Sequence, residues 1–283
     1  MSEGKPKRVG VVIVDETADF MANPFMARFV SGLCGHLNDN NVVMILQGFH
    51  PEEFARLFPL RRAEADAYCV RLHGSIGERS RMLGVLERID EPVVLVQETL
   101  STSRPDTYTI RQDDHGGGEV LAGHLLKQAL SRVAIVQPAY HGAMTAARTA
   151  GLRAGLIGGG EPIEIAEITA RVNDFSSAYD AVCSYLRDHP RPDAVVGTND
   201  ELAHASLRAL QDAGFSVPQD ACVAGFNGFQ PPSYTRPSLT TIVSAASSIG
   251  HEAGRAVLAR LQSGAFGKKE TILPVSFRKG GST

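Results

Sequence analysis

Apolar residues fall into short, nearly unbroken runs separated by longer amphipathic stretches. RVGVVIV (8–14), NVVMIL (41–46), DAYCV (66–70), PVVLV (92–96), RVAIV (132–136), DAVVG (193–197) and ACVAGF (221–226) predict β-strands. They lack the alternation of a half-solvated strand, as expected for parallel strands covered on both faces. Between the runs the spacing becomes helical: Phe175, Ala178, Tyr179, Val182 and Leu186 share one helix face. Leu202, Ala205, Ala209, Leu210 and Ala213 do likewise, with Gly214 as a stop, and Ile249 to Leu261 mark a last long helix ended by Gly264. Strands alternating with helices of this size predict an α/β protein of doubly wound parallel sheets. A dozen strands is large for one sheet, so the pattern predicts two lobes dividing near KQALSRVAIV. Such a protein is expected to bind its ligand at the carboxyl ends of the strands, in a cleft between the lobes.

Composition narrows the function classes. The chain has 283 residues, 43% hydrophobic and 21% charged, with a net charge of −3. That balance gives no electrostatic footprint for nucleic acid or an anionic membrane, so any DNA contact is expected to come from residues outside this chain. The first apolar run spans only Val9 to Val14 before Asp15 and Glu16, so no signal peptide is expected. No apolar stretch approaches the roughly 18 residues of a membrane span, and a cytoplasmic location follows. The cysteines Cys34, Cys69, Cys183 and Cys222 are isolated, as expected for reduced core thiols.

Several strings imitate catalytic motifs and fail on their surroundings. His115-Gly116-Gly117-Gly118 matches the HGGG with which esterases aim backbone N–H groups at an oxyanion, but no nucleophile elbow accompanies it. The nearest string, HGSIG (73–77), has His73 where a glycine is required. Asp113 or Asp114 can instead cap a helix with glycines in its first turn. His251-Glu252 opens a zinc-protease HExxH, but Arg255 stands at the second histidine's place. Gly267-Lys268-Lys269 lacks the rest of a P-loop, and Gly158-Gly159-Gly160 reads as a loop. No catalytic residue, metal ligand or cofactor is expected, and the chain does not read as an enzyme.

What remains is a set of polar residues at strand exits. Asn23 and Phe25 follow the first strand, Arg148 lies beyond RVAIVQ, and Asn173 follows EITARV. Asn199 and Asp200 end DAVVGT, and Asn227 ends ACVAGF. Singly, each has a plainer reading: Asn199 or Asp200 as a helix cap, Arg148 as a surface charge, Phe25 as core. Together, amides, a carboxylate, a guanidinium and one ring suit a polyhydroxylated small molecule.

RPDAVVGTNDELAHASLRALQDAGFSVPQDACVAGFNGF, continuing into RPSLTTI, resembles the effector-binding core of the lactose/galactose-repressor (LacI/GalR) family. So does SIGHEAGRAVLARLQSG followed by ILPVSFRKGGST, and NPFMARFVSGL, EADAYCV, EPVVLV and AARTAGLRAGL fit in order. The resemblance implies a periplasmic-binding-protein-like fold of type I. Its N-terminal lobe would be residues 7–129 plus 246–263 and its C-terminal lobe 130–245 plus 264–283, with crossovers near 129–131, 243–246 and 263–266. It implies effector contacts at Asn23, Phe25, Arg148, Asn173, Asp200 and Asn227, with Phe25 stacking on the ligand. Asn227 stands where the family usually has an acidic residue, and Asn173 where many members have an aromatic ring. With no acid at 227, Asp200 is the expected balance for Arg148, which tilts the expected ligand modestly toward one carrying a negative group; the plainer alternative is that Asn227 hydrogen-bonds a hydroxyl with no change of ligand class. Family members also carry an N-terminal helix-turn-helix domain. Only a few residues precede the first strand here, so that domain is expected to be absent from this chain.

The implied function is the effector-sensing and dimerisation core of a transcriptional repressor. Its expected partners are a sugar, sugar acid or related effector, a second copy of itself through helices near 24–38 and 199–213, and operator DNA through the missing domain. The alternative is a free-standing sugar-binding protein for transport or chemotaxis, which an export signal would favour.

Overall fold

The computed structural model describes residues 6–16, 19–61, 64–139, 142–160 and 162–283. In chain order, the first series is β1 (Arg8–Val14), α1 (Pro24–Asp39), β2 (Val43–Phe49), α2 (Pro51–Arg61), β3 (Ala67–Arg71), α3 (Ile76–Leu86), β4 (Val93–Val96) and β5 (Thr107–Gln112). The second is α4 (Asp114–Leu125), β6 (Arg132–Pro138), α5 (Ala143–Ile157), β7 (Glu164–Ala170), α6 (Phe175–Asp188), β8 (Ala194–Gly197), α7 (Asp200–Asp212), β9 (Cys222–Asn227) and β10 (Thr240–Val243). The chain then returns through α8 (Ala246–Ser263), β11 (Glu270–Leu273) and β12 (Ser276–Arg278).

These elements form two units, Met1–Gln112 with Ala245–Pro274, and Asp113–Ser244 with Val275–Thr283. Each holds one six-stranded sheet: β2-β1-β3-β4-β5-β11 in the first and β7-β6-β8-β9-β10-β12 in the second. All described pairings are parallel except β10 with β12. The apolar runs are continuous because both faces are covered. In β6, Val133 and Ile135 pack with Leu121 and Leu125 of α4 and Leu152 and Leu156 of α5. Ala134 and Val136, one residue out of phase, pack with Val182 of α6 and Leu202 and Leu210 of α7.

The unit boundaries differ from those expected. The expected first lobe includes residues 113–129, whereas α4 packs on α5 of the second unit. The expected second lobe includes residues 264–274, whereas β11 pairs with β5 and so joins the first unit. The reason is local. Asp113 caps α4, its Oδ1 accepting from the Gly116 N–H at 2.8 Å, and the glycines that follow form a helix-packing surface. A Cβ on Gly118 would lie 2.5 Å from the Arg148 carbonyl oxygen, and one on Gly151 would lie 2.0 Å from that of His115. The HGGG string is therefore a helix start, and its last glycine, Gly118, admits the backbone of α5. In the first unit, Gly32 and Gly250 do the same for α1 and α8: their Cβ atoms would lie 2.2 Å and 2.1 Å from the carbonyls of Ser247 and Phe29.

Candidate functional site

In the order β7-β6-β8, consecutive connections leave β6 toward opposite sides, which opens a crevice at the carboxyl ends of β6 and β8. Arg148 reaches this region from α5 and is 5% exposed. Its Nε donates to Asp114 Oδ1 at 2.7 Å and its Nη1 to the Thr198 carbonyl at 2.9 Å. The guanidinium lies over the Phe226 ring, 5.0 Å from its centroid. The arginine thus ties together the start of α4, the exit of β8 and the end of β9.

Neighbouring strand exits are polar and only partly satisfied. Asn199 caps α7, accepting from the Leu202 N–H, and its Nδ2 donates to Asn173 Oδ1 at 2.6 Å. Asp200 is turned inward: Oδ1 accepts from the Thr241 hydroxyl and Oδ2 from the Gly228 N–H, both at 2.6 Å. Burial pushes its carboxyl up to about 6 against those two hydrogen bonds. Asn227 has φ of 112°, a region L side chains seldom enter and one frequent at binding sites. Its Oδ1 and the Oγ1 of Thr198 are buried without a hydrogen-bond partner among the described residues, a feature that calls for a specific explanation.

In the first unit, Asn23 caps α1, its Oδ1 accepting from the Phe25 N–H at 3.0 Å, and Phe25 is 3% exposed. The crevice of the order β2-β1-β3 lies at the ends of β1 and β3, where Asp15, Arg71 and His73 stand. Arg71 ends β3 beside Ile13 of β1. Beyond β4, Gln97 adopts a left-handed φ of 56°, and Glu98, 2% exposed, accepts from Arg79 and from the N–H groups of Thr99 and Leu100. Burial pushes His73 down to about 4, leaving it neutral near pH 7.

Of the expected contacts, Arg148, Asn173, Asp200 and Asn227 all lie at the carboxyl end of the second sheet, and Asn23 and Phe25 at the start of α1. One expected relationship is corrected: Asp114, not Asp200, balances Arg148. The tilt toward a negatively charged ligand therefore loses its support. Arg71, Gln97 and Glu98 were missed, although RLH after AYCV and QE after VVLV follow the same rule of polar residues just past an apolar run.

Among the described residues, no helix is long and apolar enough to cross a membrane, and no group of three His, Cys, Asp or Glu could hold a metal ion.

A family model described as the periplasmic binding protein-like domain matches residues 122–283. The lactose operon repressor of Rhizobium radiobacter is 33% identical over 96 residues, 34% of this chain and 85% of that protein. Catabolite control protein A of Priestia megaterium is 24% identical over 260 residues, 90% of this chain and 75% of that protein. A LacI family transcriptional regulator from Enterococcus faecium, solved with bound ribose, superposes with a TM-score of 0.80 at 25% identity, covering 97% of this chain and 98% of that one. With its two parallel-sheet lobes and its polar strand exits, the chain belongs to the periplasmic binding protein-like family and, within it, to the LacI-type regulators.

Proposed function

We propose that this chain is the effector-sensing and dimerisation core of a LacI-type transcriptional regulator. It binds a small sugar or sugar derivative at the strand exits and couples binding to operator affinity through a DNA-binding domain outside these 283 residues. The observation that carries the reading is the pair of buried oxygens without a hydrogen-bond partner among the described residues, Thr198 Oγ1 and Asn227 Oδ1, beside the anchored Arg148. A hydroxyl-rich ligand supplies the donors and acceptors such atoms lack. The ribose bound by the Enterococcus faecium regulator supports the same ligand class. Relatives named as a repressor and a transcriptional regulator favour regulation over transport and over catalysis. A second copy of the chain and a cytoplasmic location belong to the same proposal.

A thermal-shift screen of pentoses, hexoses, disaccharides and sugar acids tests it. A ligand at 100 times its Kd adds roughly 2.7 kcal/mol of stability, so one member should raise the midpoint by several degrees. A screen in which none does so contradicts the reading.

A further inference from the structure

We propose that His36 and His251 form a binding site for a divalent transition-metal ion of the zinc, nickel or copper class, which clamps α1 onto α8 in the first unit. His36 Nδ1 lies 3.2 Å from His251 Nε2, and the two rings meet edge to face with centroids 4.4 Å apart. The pair completes a pattern that the sequence leaves broken. His251-Glu252 opens an HExxH whose second histidine is replaced by Arg255, and the fold supplies the other imidazole from α1. The two helices approach at backbone distance through Gly32 and Gly250, and a Cβ on Gly254 would lie 3.0 Å from His36 Cδ2, so that glycine leaves room for the ring. Glu252 is not left over as a base: it accepts from Arg255 through both oxygens and from the Tyr108 hydroxyl. The site therefore binds an ion without hydrolysing anything.

The separation suits coordination. An ion of this class sits about 2.0–2.1 Å from each imidazole nitrogen, so nitrogens 3.2 Å apart subtend about 100° at it. That angle falls between the octahedral and tetrahedral values. Both facing nitrogens must present lone pairs, which leaves the remaining protons on His36 Nε2 and His251 Nδ1. A neutral pair reaches that state by a change of tautomer, with no net loss of protons. Imidazole selects zinc, nickel and copper over magnesium and calcium, which prefer oxygen ligands. His251 is exposed and His36 half-buried, so water reaches the remaining coordination positions. Water is needed there, since no third His, Cys, Asp or Glu completes a ligand set among the described residues.

The surrounding charges are compatible with a cation. Burial first, and then His251 and Arg255, lower the pKa of His36, which keeps its ring unprotonated and able to ligate near neutral pH. Asp39, at the end of α1, and Glu252 act in the opposite sense. The Arg255 guanidinium is paired with Glu252, which offsets its repulsion of an ion held by the two imidazoles.

Titration calorimetry of the whole, untagged chain with zinc chloride, and with magnesium chloride as the control, tests the site near neutral pH. One zinc ion per chain should bind and magnesium should not. His36→Asn and His251→Gln should each weaken zinc by at least about tenfold, since loss of even an outer-shell partner of a metal site costs that much. Lowering the pH to about 5.5 should weaken zinc by a similar factor, because imidazoles protonate there and carboxylates do not. Long-range proton–nitrogen NMR of the unmodified chain supplies a readout that does not depend on a variant's folding: zinc should shift His36 Nδ1 and His251 Nε2. The site is overturned by the absence of saturable zinc binding up to about a millimolar, or by magnesium binding as tightly as zinc. Zinc that shifts only other histidines and is indifferent to His36→Asn and His251→Gln overturns it equally.

Discussion

Arg148 and Asp114 form an ion pair in which both side chains are 5% exposed, with Nε and Oδ1 2.7 Å apart. The pair joins α5 to the first turn of α4, so the arginine holds the lobe together as well as facing the strand exits. Removing one partner leaves the other charge buried, which costs about 3–5 kcal/mol. Arg148→Ala and Asp114→Ala should each lower the urea midpoint accordingly, and the double variant should lose less than the sum. Additive losses would show that the two residues act independently.

The close approach of α4 and α5 separates the glycines of one helix into two kinds. A Cβ on Gly118 meets backbone at 2.5 Å, whereas one on Gly123 meets nothing within 4 Å. Gly118→Ala should destabilise by about 1–3 kcal/mol through overpacking. Gly123→Ala should stabilise by about 0.5–1 kcal/mol, because alanine loses less backbone entropy in a helix. Thermal melts of the two variants check the opposite signs.

Much of this architecture was legible because buried parallel strands announce themselves as unbroken apolar runs, and Gly214 and Gly264 end α7 and α8 with φ of 85° and 84°. Five strands do not register as apolar runs: TTIV, ETIL and SFR (β10, β11, β12) are too brief, and TYTIRQ and EIAEITA (β5, β7) are broken by polar residues. At the site, Arg148 stood out by position, but its partner lies far off in sequence. The 34 residues separating Asp114 from Arg148 carry no pattern that reveals the pair. Asp200 shows the same limit: its place at a strand exit was visible, its inward turn toward Thr241 and Gly228 was not.

That inward turn gives Asp200 a pH signature. Its carboxyl is raised from 3.8 to about 6, first by burial. The native state then holds a proton between about pH 4 and 6 that the unfolded chain has released. Its contribution to stability is therefore full below about pH 4 and is lost as pH rises through about 6. The stability of wild type relative to Asp200→Asn should fall across that window by on the order of 3 kcal/mol. Urea titrations at intervals from pH 4 to 7 measure it, and a difference independent of pH would refute the assignment.

The central claim is that a sugar-type effector occupies the strand exits of this fold. Hydrogen exchange of the chain, with and without the sugar that most raises its melting midpoint, tests it most directly. Slowed exchange is expected at Thr198–Asn199 and Asn227–Gly228. Protection confined to other segments, or none at saturating sugar, would contradict the account.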